Sequence, residues 1–249
     1  MLFKDIIKSN NIELHNQKYK KEITMYNRDY LSNQSTQYTQ ESSQAQLMSF
    51  LKATYQLFAG SLLAATAGAY IGLGIVSILM GPVKWVLFAV ELALIFFVIP
   101  RVKHTPGVNL AVLFAFTFIT GLTIAPLLTA IFAMPSGAAI VGQAFLMTSV
   151  AFGGISMFAM TTKRDFSSIG KFLFIALIIM IVAGISNIFI QSSMMQLAIA
   201  SGGALLFSAF ILYDTQQIIK GNYDSPIEAA LSLYLDFFNL FISLLQILG

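Results

Sequence analysis

AFILYDTQQIIKGNYDSPIEAALSLYLDFFNLFISLL, residues 209–245, consists of two apolar stretches joined by a short polar turn, and each stretch carries a carboxylate, Asp214 and Asp236. A carboxylate at bilayer depth costs about 3 kcal/mol or more unless it is neutral, paired or facing water, so such a residue reads first as an ion path, a proton relay or a sensor. The turn GNYDSP (221–226) makes the two stretches antiparallel helical neighbours. Asp214 lies one to two turns before Lys220, roughly 9 Å inside the helix end, and the same count from Pro226 puts Asp236 roughly 15 Å deep. The offset of about 6 Å closes if the helices tilt or the second starts less deep.

The second stretch also carries a stripe. Ser232, Asp236, Asn239, Ser243 and Gln246 follow one another at spacings of 4, 3, 4 and 3, which places them on one helix face. The other faces are Leu, Phe and Ile. A single polar stripe on an otherwise apolar helix turns toward protein or a hydrated cavity rather than lipid. Interhelical hydrogen bonding explains the Ser, Asn and Gln. It explains Asp236 poorly, because Asn would bond at a lower desolvation cost.

The rest of the chain sets the context. Of 249 residues, 57% are hydrophobic and 10% charged, against a soluble norm of about 25% charged; mean hydropathy is +0.79. This composition predicts an all-α, polytopic membrane protein. Seven apolar runs cover roughly 50–76, 83–100, 108–132, 138–160, 170–191, 196–219 and 227–248. Residues 1–47 are polar and lack an apolar period, which predicts a disordered N-terminal tail ahead of a transmembrane domain over 48–249. Met25 (MYNRDY) is an alternative start. All 14 basic residues except Lys84 fall on one side when the runs are strung as seven crossings, which predicts a cytoplasmic N-terminus. The basic balance therefore orients helices and does not indicate nucleic acid. There are no cysteines, and His15 and His104 are far apart, so neither thiolate chemistry nor a histidine metal cluster is expected. Gly68 and Gly72 form a small-xxx-small pair that reads as a close helix contact within the monomer. Gly121 and Pro126 interrupt the third run, a kink for packing.

A third acid, Glu91, interrupts VLFAVELALIFFVI (86–99), near the middle of its run. Lipid exposure there would be costly, so Glu91 is expected to face the bundle interior. If Asp214 and Asp236 meet, they cannot both ionise cheaply in a low dielectric. They then share a proton and titrate as a unit. With both protons gone the pair is a ligand set for a hard cation such as Ca²⁺, and Glu91 would extend it into a path.

LYDTQQI around Asp214, ALSLYLDFFNLFISLL around Asp236, and the Glu91 helix ending in basic residues closely resemble the transmembrane Bax inhibitor motif family in its bacterial branch. The resemblance spans about residues 48–249. It implies a seven-helix bundle with six helices around a more central seventh. It implies a pH-sensitive Ca²⁺ leak of the bacterial inner (cytoplasmic) membrane, with Asp214 and Asp236 as sensor and Glu91 as the second-helix acid. A basic residue at the cytoplasmic end of the second helix would partner the sixth-helix aspartate in one state, and the register points between Arg101 and Lys103. The expected partners are lipid, Ca²⁺ and protons, with no cofactor. Two other functions compete. One is a non-transporting regulator of a membrane protease or stress response, in which the pair is a switch without flux. The other is an intramembrane aspartyl protease. Tyr213-Asp214 fits half of its signature, but Asp236 follows Leu-Tyr-Leu where Gly-x-Gly would be needed, and no Pro-Ala-Leu is present. A non-enzyme is therefore expected.

Overall fold

A computed structural model of the chain describes Lys21 and residues 43–249. Apart from Lys21, the predicted tail up to residue 42, Met25 included, lies outside the described residues. Seven helices are long and apolar enough to cross a membrane: α1 (Ser43–Gly74), α2 (Val83–Val102), α3 (Val108–Phe132), α4 (Gly137–Thr161), α5 (Gly170–Ile190), α6 (Ser193–Ile219) and α7 (Pro226–Leu248). The protein is an all-helical, multi-pass membrane protein. The seven match the seven apolar runs, and α1 begins earlier, at Ser43 rather than near residue 50.

The helix ends follow from local chemistry. Gly221 adopts the left-handed conformation (φ 71°) just past α6. It donates to Ile218 O at 3.0 Å, and Asn222 N donates to Gln217 O at 3.0 Å, closing the carbonyls of the last turn. Ser225 then caps α7 by accepting from Ile227 N at 3.2 Å, and Pro226, which has no N–H to lose, occupies the first turn. Polar residues over 221–226 thus build a tight antiparallel hairpin. In α2 the ladder slips into a π-helical turn, Leu94–Val98, just before Pro100. Proline cannot donate to the preceding turn, and the slip relieves it. The Arg101 guanidinium bonds the carbonyl of Phe97 beside the slip.

The core gathers on α7. It packs against α3, α4 and most extensively α6, and Phe58 of α1 meets Phe237 edge-on at 5.8 Å while stacking on Phe152 of α4 at 4.8 Å. The central seventh helix is therefore observed. α5 packs on α6 and stands off α7, which leaves a gap between α5 and α7. α1 and α3 cross with their backbones nearly touching. A Cβ built on Gly68 would lie 2.0 Å from Phe118 O, and one on Gly121 would lie 2.0 Å from Ala65 O. The small-residue pair read from sequence is thus an intramolecular contact. Gly121 serves that crossing and is not simply a kink.

Candidate functional site

The α6–α7 hairpin brings the two carboxylates together. Asp214 and Asp236 are 6% and 5% exposed, and their carboxyl groups are hydrogen-bonding neighbours. Ser232 and Asp236 stand one turn apart on α7, and Asp214 reaches both. Its Oδ2 accepts from Ser232 Oγ. Tyr223, in the turn, donates to Ser232 Oγ at 2.9 Å. The expected depth offset is absorbed because Asp214 sits level with the segment between Ser232 and Asp236. Asp236 Oδ2 is buried with no hydrogen-bond partner among the described residues. Two carboxyl groups at hydrogen-bond range in this setting need a proton between them or a cation beside them.

The pair opens onto a cavity of about 510 Å³ in the gap between α5 and α7, walled by α6. Ser232, Asp236, Asn239, Ser243 and Gln246, the whole stripe of α7, line it. Leu177, Met180 and Ile181 of α5 form the facing apolar wall. The stripe therefore turns to a cavity rather than to the packed helix contacts.

The other predicted residues lie elsewhere. Glu91 is half-buried and faces α3, where its Oε1 accepts from Thr123 Oγ1 at 2.8 Å. From there Thr123 also reaches Thr120 O at 3.0 Å, and the Thr120 hydroxyl bonds the fully buried Tyr234 hydroxyl. Glu91 is interior-facing as expected. It does not line the cavity of the aspartates, so no single three-acid path is assembled. Among the described residues, no group of three or more His, Cys, Asp or Glu side chains is placed to hold a metal ion.

The partnership of Arg101 or Lys103 with Asp214, expected in one state, is not made in this arrangement. Arg101 is turned back on its own helix. Lys103 Nζ contacts Asp224 Oδ2 at 3.0 Å and Glu228 Oε1 at 2.9 Å, tying the end of α2 to the start of α7. The reason is reach. Asp224 and Glu228 sit at the helix ends with Lys103, and Asp214 lies deeper behind Ser232 and Tyr223. These partners were legible as charges in the turn, but nothing in their spacing linked them to Lys103. Tyr223 and the Thr120–Thr123–Tyr234 hydroxyls were also missed, because a single hydroxyl in a turn or an apolar run carries no periodic signal.

In the loops, ion pairing holds Asp224 and Asp165 below and Lys103 above their ordinary values. Hydrogen bonding to Glu228 and then Asp224 raises Lys103, and Lys103 in turn lowers Asp224. Lys220 holds Asp165 down at about 2. A depressed carboxyl stabilises the fold above its unfolded pKa, about 4, and loses that contribution only as pH falls through its folded value. The tether is thus intact across the physiological range. Lys103→Gln should lower the thermal midpoint equally at pH 7 and pH 5.5. The deficit should shrink only below about pH 4, as read by scanning fluorimetry in detergent.

The family described as inhibitor of apoptosis-promoting Bax1 matches residues 47–249. An uncharacterised protein of Campylobacter jejuni is 51% identical over 91% of this chain and 97% of its own length. An uncharacterised membrane protein of Vibrio cholerae is 41% identical over 80% of this chain and 88% of its own. Protein lifeguard 4 of mouse is 38% identical over 67% of this chain and 68% of its own.

Proposed function

The chain belongs to the Bax inhibitor family, and on that premise we propose that it is a pH-sensitive Ca²⁺ leak of the bacterial inner membrane, gated by the Asp214–Asp236 pair. The observation that carries this reading is the pairing of two buried carboxyl groups at the floor of an open cavity, one oxygen of which has no partner. An acid held there for packing alone would be cheaper as Asn. An acid held there to exchange a proton for a cation needs this arrangement. With one shared proton the pair carries a single negative charge instead of two. Deprotonated, it presents oxygens to a hard cation. The distribution of basic residues supports a cytoplasmic N-terminus, which puts the Lys103 tether and Tyr223 on the cytoplasmic side. The protein acts as a conduit and not a catalyst, and needs no cofactor.

The direct test is Ca²⁺ entry into proteoliposomes of purified protein across a pH series from about 5 to 8. Flux above protein-free vesicles that varies with pH is expected. Flux equal to the vesicles at every pH would leave the pair as a switch without transport, in a regulator of a membrane protease or stress response.

Tyr223 supports the closed side of the pair. Burial, with the Asp214 charge nearby, holds its phenol above its ordinary value, so it remains a donor at physiological pH. Tyr223→Phe removes the bond to Ser232, worth about 1 kcal/mol. Basal flux should rise about fivefold while the shape of the pH profile is kept. A profile unchanged in height would show that Tyr223 does not hold the site shut.

A further inference from the structure

We propose that the carboxyl pair is loaded by a hydrated cation from the α5–α6 end of the bundle, along a polar rail formed by Asn239, Ser243 and Gln246 of α7 and continued by Gln196 and Asn187. The inference rests on the reading of the pair as an ion site and adds the route, its side and the residues that select charge.

The route is continuous in lining. The cavity that contains Asp236 ends at Gln246 and Ile199. A second cavity, of about 320 Å³, begins at the same two residues and is bounded by Gly184, Asn187 and Gln196 at the α5–α6 turn. The route is buried at the pair and exposed at its far end. Asp236 and Ser243 are buried, Asn239 and Gln246 are intermediate, and Gln196 is exposed. The opposite end has no such opening at the pair. There Tyr223 and Ser232 cover Asp214, and Lys103 ties the helix ends together.

Asn239 Nδ2 donates to Leu235 O at 2.7 Å, and Ser243 Oγ donates to Asn239 O at 2.8 Å. Each of these hydrogens is directed to a carbonyl of its own helix. Toward the cavity this leaves Asn239 Oδ1 and its second amide hydrogen, the Ser243 lone pairs and the unpartnered Asp236 Oδ2, while Asn187 Oδ1 is engaged by Ser192 N at 3.1 Å. A polar row can pass a hydrated ion, and the carboxyl pair at its end selects a hard cation and repels an anion. The facing wall of α5 is apolar and offers no competing donors. Gly203 keeps the rail from being displaced, since a Cβ there would lie 2.6 Å from Ser243 Oγ. The end with the opening is also the end lacking the basic residues of the α2–α3, α4–α5 and α6–α7 loops, which makes it the outer face.

The chain has no cysteine, so single substitutions report without background. Asn239→Cys, Ser243→Cys and Gln246→Cys are treated in the membrane with an impermeant cationic thiosulfonate and its anionic counterpart, from each side separately. The readout is mass shift of the purified protein. Lys163→Cys in the α4–α5 loop marks the basic side, and Ile179→Cys, 62% exposed on α5, marks lipid. All three rail positions should react with the cationic reagent from the side opposite Lys163→Cys, fastest at Gln246→Cys. The anionic reagent should be at least tenfold slower, and Ile179→Cys should stay unmodified. Ser243→Cys is nearly isosteric, and monodisperse elution with a parental thermal midpoint certifies each variant. Modification from the same side as Lys163→Cys overturns the proposal. So does a folded Ser243→Cys that reacts from neither side, or equal rates for the two reagents. None of these readouts needs Ca²⁺ flux, so a leak that fails in vesicles and a route that fails by labelling are separate results.

Discussion

Asp214→Asn and Asp236→Asn should each flatten the pH dependence of Ca²⁺ flux in proteoliposomes. Asn keeps the size and the hydrogen-bonding capacity of Asp but cannot titrate, so the substitution isolates the proton. On the proposed reading one proton is shared between the two neighbouring carboxyl groups. Such a group changes its population about tenfold across the two pH units centred on its midpoint. Each variant should therefore reduce the flux ratio across that window from about tenfold to within about twofold of unity. The absolute level after substitution depends on which protonation state is closed. Asp214→Asn also keeps an acceptor for Ser232, so loss of folding is not expected. Glu91→Gln is the contrast. Glu91 bonds Thr123 and lies outside the cavity, so its profile should keep the parental shape. If both Asn variants retain the parental pH profile, the pair is a structural element and the regulator reading takes over.

Gly121→Ala should be strongly destabilising. Its Cβ would lie 2.0 Å from Ala65 O, 2.8 Å from Ala65 C and 2.9 Å from Ala69 N. All three are backbone atoms of α1, so no rotamer change relieves the clash and the helices must separate. Overpacking of a close-packed contact costs about 1–3 kcal/mol, and a backbone-on-backbone clash belongs at the upper end. A loss of about 3 kcal/mol corresponds to a fall of about 6–12 °C in thermal midpoint for a chain of this size. Gly142→Ala is the control, because nothing lies within 4 Å of its Cβ and Ala is the better helix former by about 1 kcal/mol. Equal midpoints for the two variants would show that the α1–α3 crossing does not limit stability.

Most of the fold was legible in the sequence because the bilayer is a severe solvent. It requires long apolar helices and forbids unpaired backbone. Run lengths therefore located α3 at its observed ends, and the others to within a few residues except at the start of α1, which extends back into polar sequence where lipid no longer dictates composition. GNYDSP determined the hairpin, since Gly221 and Pro226 permit one tight reversal and little else. The spacing of Ser232, Asp236, Asn239, Ser243 and Gln246 determined a single polar face, because helical geometry leaves no alternative.

Only the tertiary structure decided what that face meets. The gap between α5 and α7 follows from α5 resting on α6, and no local pattern in residues 170–190 encodes a contact that is not made. The same holds for the acids. Helix rise alone left Asp214 and Asp236 offset, and the packing of α6 on α7 brought them level. Charge pairing at the helix ends was settled by which side chains share a depth, so Lys103 went to Asp224 and Glu228 and not to Asp214. Glu91 turned inward as its desolvation cost demanded. Burial, however, does not specify a neighbour, and the hydroxyl that received it was on α3.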